Sequence, residues 1–210
     1  METKLTDWET LEELKAQIVK FAKVDETVEI ERKWLIDINL IEYLNTLEWD
    51  KTTHKYVTAG YLSVDPEIRL RSLRSLSGDD IGKFRYYVSY KTSGELVREE
   101  YDVEIDAFDA VKLRDRIYLD PKIHTHSSEY INSKLLVKDY YTFTKGDITI
   151  EVSVVDRDEN FTYMEIEFPD VESATNYVIP VDIAKYVTKE VTNDTYYKMK
   201  NYWARTRLTN

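Results

Sequence analysis

The segment VEIERKWLID, residues 28–37, carries two carboxylates and a lysine in strict alternation. Because successive side chains of a strand point to opposite faces, Glu29, Glu31 and Lys33 share one face, and Trp34 lies on the other. Carboxylates and an ammonium group on one face could bind a cation and an anion side by side. The alternative is an ordinary strand with one solvated face, and a single segment does not decide between the two.

The same alternation recurs in seven of the eight strands that the sequence predicts. These strands cover residues 28–38, 56–63, 66–74, 84–92, 97–105, 135–145, 147–155 and 162–168, and turn signals such as SGDD, TSGE and KGD separate several of them. Solvated strand faces usually mix in Thr, Ser and Gln, whereas these faces carry almost only Glu, Lys and Arg. The signs also segregate by strand, with Glu29, Glu31, Glu151, Glu165 and Glu167 on three strands and Arg69, Arg71, Lys91, Arg98 and Lys138 mainly on the others.

Eight antiparallel strands can close into a barrel. We therefore predict an α+β, mainly β protein, in which a closed eight-stranded antiparallel β-barrel has its charged faces inside and its apolar faces covered by helices. Residues two apart on a strand are roughly 6.8 Å apart, so neighbouring carboxylates could hold a hard cation such as Mg²⁺ or Mn²⁺. The arginines and lysines would suit phosphate oxygens.

Helical periodicity predicts helices at residues 6–23, 106–118, 180–188 and 194–205. The first has apolar residues at three- and four-residue steps, and Thr6 with Glu9 resembles a capping box. We predict a single domain overall, with residues 1–25 as an N-terminal amphipathic helical extension and residues 26–210 as the barrel domain. The first helix could pack on the barrel or form the contact of a homodimer.

Bulk composition narrows the classes of function. The chain has 210 residues, a formal net charge of −11 and no cysteine, which excludes disulfides and thiolate metal sites. The acidic charge argues against a long nucleic-acid partner. No apolar run approaches the roughly 20 residues of a membrane helix, and the N-terminus has no signal-peptide pattern, so we expect no membrane partner and a cytoplasmic protein.

The strand EIERK resembles the E-x-E-x-K signature of the CYTH superfamily, the triphosphate tunnel metalloenzymes. The segments AGYLS, IRLR, YKTSGELVREEYDVEI, MEIEF and KEVTNDTYY follow in order and are most similar to the bacterial inorganic triphosphatase branch. The resemblance runs from about residue 28 to 203. It implies metal-dependent hydrolysis of a triphosphate, most of all inorganic tripolyphosphate, inside a charged β-tunnel, with Mg²⁺ or Mn²⁺ as cofactor and a small triphosphate as partner.

The resemblance also implies roles for individual residues. It places Glu29, Glu31 and Lys33 at the catalytic centre. It implies phosphate binding by Lys33, Arg69, Arg71, Lys91, Arg98 and Lys138. It implies metal binding by Glu29, Glu31, Glu100, Glu151, Glu165 and Glu167.

Two positions depart from the pattern of this superfamily. Tyr140 stands where an arginine is common, and Ser153 where an acidic residue is common. A class IV adenylate cyclase, another nucleotide or thiamine triphosphate enzyme, and a non-catalytic polyphosphate or nucleotide binder therefore stay open. His124 and His126 have a spacing that could bind metal, but no third His or Cys ligand accompanies them, and we interpret them and His54 as loop residues.

Overall fold

The structure is a computed structural model that describes residues 5, 8–22, 28–117 and 134–208. Within these residues it contains nine strands and six α-helices. The strands are β1 (Val28–Ile36), β2 (Lys51–Val64), β3 (Glu67–Ser75), β4 (Phe84–Lys91), β5 (Val97–Ile105), β6 (Leu136–Lys145), β7 (Ile148–Val155), β8 (Thr162–Glu167) and β9 (Val187–Glu190). The helices are α1 (Leu11–Phe21), α2 (Asn39–Asn45), α3 (Ala107–Arg116), α4 (Val171–Asn176), α5 (Val181–Ala184) and α6 (Met199–Arg207).

Eight strands form a closed antiparallel barrel, which confirms the predicted fold class. They pair in the order β5-β4-β3-β2-β6-β7-β8-β1, and β1 pairs back onto β5. This closing contact is short: Val28, Glu29 and Ile30 face Glu99, Arg98 and Val97. Closure leaves the eight-stranded sheet without a free edge, because each strand of the barrel now has a neighbour on both sides.

The ninth strand lies outside the barrel and continues the closing edge of β1. It pairs with Trp34 to Ile36 of β1, beyond the part of that edge that pairs with β5. The amide of Val191 donates to the carbonyl of Lys33 at 2.8 Å, and the amide of Lys33 donates to the hydroxyl of Thr192 at 3.0 Å. Residues 187–192 therefore satisfy the backbone groups of β1 that β5 does not reach.

Helices cover the apolar outer faces of the barrel. Leu14 and Ile18 of α1 and Leu113 of α3 belong to one buried cluster with Val88 and Val103. A second cluster joins α2 and α5 to the outer faces of β1, β7 and β8 and includes Leu40, Leu44, Ile183, Val152 and Met164. Burial of this apolar surface keeps the charged strand faces on the inside.

The N-terminal helix begins later than the sequence predicts. Thr10 is the N-cap of α1 and forms a capping box with Glu13, whereas Thr6 lies outside the described residues. The predicted helix at 106–118 is α3, which begins after the N-cap Asp106 and ends at Arg116.

The prediction of a helix at 180–188 is wrong for its second half. Helix α5 ends at Ala184, and the chain then forms β9. The helix predicted at 194–205 begins at Met199, after a 3-10 turn at Thr195–Tyr197. Helices α2 and α4 are not predicted by the sequence pattern.

Strand β2 is longer than predicted, and its first half includes His54, which we expected in a loop. His54 stacks on Tyr141 with ring centroids 4.1 Å apart, and its Nε2 lies 3.3 Å from Asp139. His124 and His126 lie outside the described residues. No helix among the described residues is both long and apolar enough to cross a membrane.

Candidate functional site

The inner face of the barrel encloses a cavity of about 280 Å³. Every site residue that the sequence analysis names lines this cavity: Glu29, Glu31, Lys33, Arg69, Arg71, Lys91, Arg98, Glu100, Lys138, Glu151, Glu165 and Glu167. The structure therefore brings together side chains from β1, β3, β4, β5, β6, β7 and β8.

One wall of the cavity is acidic because carboxylates from three strands lie in register. Glu31 of β1 is opposite Glu167 of β8, and Glu165 of β8 is opposite Glu151 of β7. Directly opposed residues of this kind have Cβ atoms about 5 Å apart. Like charges at that spacing repel, so this wall favours a proton or a cation among its carboxylates.

Glu151 shows the crowding most clearly. Burial raises its pKa to about 8, the hydroxyl group of Tyr140 opposes this change, and Glu165, Glu167 and Glu31 add to it. Partial burial and the charge of Glu31 also raise the pKa of Glu167, which lines the same cavity.

Glu165 behaves in the opposite way because cations surround it. Its carboxylate lies 2.9 Å from the ammonium group of Lys33. Burial alone would raise the pKa of Glu165, but Lys33 and Lys138 lower that pKa to about 2. The acidic wall thus holds one firmly charged carboxylate beside one that keeps its proton near neutral pH.

The other wall is basic, and carboxylates pair its cations. The Arg69 guanidinium lies 2.8 Å from Glu100, the Lys91 ammonium lies 2.5 Å from Glu100, and Arg71 pairs with Asp102. Burial would raise the pKa of Glu100, but Lys91 and a hydrogen bond with Glu29 hold this pKa well below its usual range.

Arg98 joins the two walls at the seam where the barrel closes. Its Nε donates to Glu29 at 2.8 Å, and its Nη2 donates to Glu31 at 2.7 Å. Burial raises the pKa of Glu29 to about 7, although Lys91 favours the charged form, and Glu29 can share its proton with Glu100. Two buried carboxylates that share one proton titrate as a pair.

Lys138 has no carboxylate partner in the described part of the chain and instead donates a hydrogen bond to the hydroxyl of Tyr163. Burial lowers the pKa of Lys138 to about 7, Glu165 opposes this, and Lys33 adds to it. Lys33 also lies 3.5 Å above the ring centre of Tyr163. Tyr163 therefore contacts both lysines, one through its hydroxyl group and the other through the face of its ring.

The sequence analysis missed several charged residues that line the cavity, including Lys55, Glu67, Asp102 and Lys198. Glu67 and Asp102 share a strand face with Arg69 and Glu100, so the same alternation could have identified them. Lys55 was missed because β2 was predicted to begin at residue 56. Lys198 comes from the C-terminal segment, which only the folded chain brings to the cavity.

The C-terminal segment closes one side of the site. Tyr197, Lys198 and Met199 line the cavity, and Lys198 donates a hydrogen bond to the carbonyl of Gly94. Tyr197 and Met199 also pack with the buried Tyr163.

Strand alternation alone does not place a residue in the cavity. Arg85 and Glu104 share strand faces with Lys91 and Asp102, but both are exposed.

Carboxylate oxygens are suitable ligands for Mg²⁺ or Mn²⁺, and the acidic wall brings Glu31 opposite Glu167 and Glu151 opposite Glu165. The donor chemistry therefore fits a divalent cation. In the described part of the chain, however, no three His, Asp or Glu side chains already converge as a metal site. Binding of a divalent cation would therefore need the carboxylate side chains of the acidic wall to rotate toward one another.

No family model matches the chain, and no curated protein matches it. Among solved structures, a conserved hypothetical protein from Pyrococcus furiosus is 18% identical, with a TM-score of 0.43, and the match covers 75% of this chain and 84% of that chain. A protein from Pyrococcus horikoshii OT3 is 18% identical, with a TM-score of 0.46 and coverage of 70% and 82%.

A putative adenylate cyclase from Bacillus halodurans is 14% identical to this chain, with a TM-score of 0.39 and coverage of 70% and 83%. At these identities and TM-scores, the similarities do not assign the chain to a family. The closed barrel with a charged interior agrees with the fold that the CYTH-like motifs imply.

Proposed function

We propose that this protein hydrolyses a small triphosphate in its barrel, with a divalent cation as cofactor and inorganic tripolyphosphate as the leading substrate. One observation supports the proposal: cations on β3, β4 and β5 and carboxylates on β1, β7 and β8 line the same cavity. Phosphoryl transfer needs mainly positioning and charge neutralisation, and both can be supplied by side chains of this kind.

The basic wall would hold the phosphates. Arg69, Lys91 and Arg98 are fixed by carboxylates at distances between 2.5 and 2.8 Å, so their orientations are set before a substrate binds. Phosphate oxygens can replace these carboxylates as partners of the same cations. Lys33, Arg71 and Lys138 would complete the set that binds the phosphates.

The acidic wall would hold the cation. Glu31, Glu151, Glu165 and Glu167 lie in register on three adjacent strands, and Glu29 and Glu100 lie across the closing seam. A bound Mg²⁺ or Mn²⁺ supplies neutralisation of triphosphate charge and a lowered pKa for bound water. Glu29 and Glu31, which Arg98 orients, would position the attacking water.

The enclosure of the cavity favours a small substrate. A cavity of about 280 Å³ lined by charged groups suits a phosphate chain better than a folded nucleic acid. Lys33, Arg69, Lys91 and Glu100 are all buried, so the electrostatic interactions within the cavity are weakly screened by water.

The test is release of phosphate from tripolyphosphate by the purified protein with Mg²⁺ or Mn²⁺. We expect turnover by the wild type, a loss of about 100-fold or more in Glu31→Gln, and no change in Glu42→Gln, because Glu42 is exposed on α2. Absence of phosphate release from tripolyphosphate and from other triphosphates would reject the proposed hydrolysis.

A non-catalytic triphosphate binder is the second candidate, favoured by Tyr140 and Ser153, which place no charge at two positions of the inner face. Calorimetry would distinguish it from the enzyme, because a binder gives saturable heat with tripolyphosphate and no release of phosphate. The products distinguish a nucleotide cyclase from the proposed triphosphatase, because a cyclase converts ATP into cyclic AMP and pyrophosphate.

A further inference from the structure

Lys55 lies on β2 with its half-buried side chain lining the cavity. Its partner on β6 is Tyr140, and the partner of Tyr140 on β7 is Ser153. The ammonium group of Lys55 is 5.8 Å from the ring centre of Tyr140. The two residues that follow Lys55 across β6 and β7, Tyr140 and Ser153, are therefore both neutral.

Lys55 also has no ion-pair partner among the residues that the structure describes, unlike most cations of the cavity. Arg69, Arg71, Lys91 and Arg98 each pair with a carboxylate, and Lys33 pairs with Glu165. A half-buried cation without an ion-pair partner loses part of its hydration and gains no direct contact in return. Such a position is explained if an anion from outside the chain completes it.

Lys138 also lines the cavity without a carboxylate partner in the described residues, and it is adjacent to Lys55. Lys138 faces Val57 on β2, two residues from Lys55, so the two lysines are diagonal neighbours on the same face of the β2–β6 pair. Diagonal neighbours of this kind lie about 7–8 Å apart between their Cα atoms. One phosphate group between them can accept hydrogen bonds from both ammonium groups.

The electrostatic surroundings agree with this geometry. Burial lowers the pKa of Lys55, Glu151 opposes this, and Lys51, Arg85 and Arg71 lower it further. Besides Glu151, the charges that act most strongly on Lys55 are positive. The local potential favours an anion at this place.

We propose that Lys55, together with Lys138, binds one phosphate group of the substrate on the β2–β6 side of the cavity. This inference rests on the proposed function and deepens it. The phosphate at Lys55 and Lys138 and those at Arg69, Lys91 and Arg98 belong to one chain, so the protein requires a substrate with several linked phosphates.

The test uses Lys55→Met, which removes the charge and keeps most of the side-chain volume, and Lys55→Arg, which keeps the charge. Lys51→Met is the matched control, because Lys51 is exposed on the same strand and does not line the cavity. Tripolyphosphate binding is measured by calorimetry in EDTA, and KM and kcat are measured with Mg²⁺. Thermal denaturation shows whether each variant folds.

We expect Lys55→Met to weaken tripolyphosphate binding and to raise KM by about tenfold or more, with kcat changed by less than about threefold. Lys55→Arg and Lys51→Met should stay within about threefold of the wild type. Lys55→Met should melt no lower than the wild type, because it removes a half-buried charge that has no ion-pair partner among the described residues.

A wild type that binds and hydrolyses tripolyphosphate together with a Lys55→Met variant of equal affinity and KM would overturn this inference alone. The same holds if Lys55→Arg is as weak as Lys55→Met, because the effect would then not come from charge. A wild type that neither binds nor hydrolyses tripolyphosphate or any other triphosphate would overturn the proposed function and this inference together.

Discussion

Glu151 lies directly opposite Glu165 across β7 and β8, with both side chains lining the cavity. Their environments differ although their chemistry is the same. Lys33 and Lys138 lower the pKa of Glu165 to about 2 against the effect of burial, whereas burial raises the pKa of Glu151 to about 8. Such a pair divides into a permanent charge and a group that titrates near neutral pH.

The first prediction concerns the pH dependence of stability. In the unfolded chain Glu151 releases its proton near pH 4.5, and in the folded chain it does so near pH 8. Between these values the folded state holds more protons, so Glu151 lowers the free energy of unfolding as pH rises. Glutamine does not titrate, so Glu151→Gln avoids this loss. From about pH 5 to pH 8.5, the free energy of unfolding of Glu151→Gln should rise by about 2–4 kcal/mol relative to that of the wild type.

Urea unfolding in EDTA at both pH values checks this prediction. Glu172→Gln is the control, because Glu172 is exposed on α4, and its effect should not change with pH. An equal effect of Glu151→Gln at both pH values would contradict the raised pKa.

The second prediction separates stability from function at Lys138. Burial lowers the pKa of Lys138 to about 7, so the folded chain loses this proton before the unfolded chain does. The contribution of Lys138 to the free energy of unfolding therefore rises between about pH 7 and pH 10.5. We expect Lys138→Met to be about 2–4 kcal/mol more stable than the wild type at about pH 6, with a smaller difference at about pH 10.

The same Lys138→Met protein should bind tripolyphosphate at least about tenfold more weakly, because a charge-assisted hydrogen bond is lost. Urea unfolding at the two pH values checks the expected stability, and calorimetry checks the expected loss of tripolyphosphate binding. A variant that loses stability at low pH would show that the ammonium group stabilises the fold.

The third prediction concerns Arg98, which holds Glu29 at 2.8 Å and Glu31 at 2.7 Å. Removal of Arg98 leaves two partly buried carboxylates without this partner. We expect Arg98→Ala to lower the free energy of unfolding by about 3 kcal/mol. Arg85→Ala should have little effect on stability, because Arg85 is exposed and its ion pair with Asp80 is long, at 3.6 Å.

Urea unfolding at neutral pH compares these two arginine variants. Equal costs for Arg98→Ala and Arg85→Ala would show that the charges at the seam are solvated. A much larger cost for Arg98→Ala supports a closed and weakly hydrated seam.

The fourth prediction concerns the divalent cation. A ligand that binds only the folded state at about 100 times its Kd stabilises by about 2.7 kcal/mol. For a chain of this length this corresponds to a rise in Tm of about 5–10 °C. We expect Mg²⁺ or Mn²⁺ to produce such a rise in the wild type and a much smaller one in Glu167→Gln, which loses one carboxylate of the acidic wall.

Differential scanning calorimetry with and without metal measures this effect, and Glu172→Gln is again the control. If Tm does not change with metal at any concentration, the acidic wall does not bind a divalent cation.

Much of the architecture is predictable from the sequence, because period-two alternation is a local property. Residues such as Glu29, Arg69 and Glu165 share a face with residues two positions away, whatever the rest of the chain does. All eight predicted strands are present in the structure, and all twelve predicted site residues line the cavity. Their roles in binding and catalysis stay predictions.

Other elements were missed because they depend on partners distant in the chain. The segment Lys51–Lys55 is polar on both faces and has no strand pattern, yet it pairs with β6 and brings Lys55 to the cavity. Strand β9 exists because β5 leaves part of the edge of β1 unpaired. The last helix begins late because Asp194 caps a 3-10 turn before it.

The sequence by itself determined which residues face the interior, because alternation along a strand assigns each side chain to one side. Only the tertiary structure decided which charges meet. It sets Glu151 against Glu165, gives Arg98 two carboxylates, and leaves Lys55 and Lys138 without one in the described part of the chain. Register between strands follows from closure of the barrel and from packing of the outer helices, and both are properties of the whole chain.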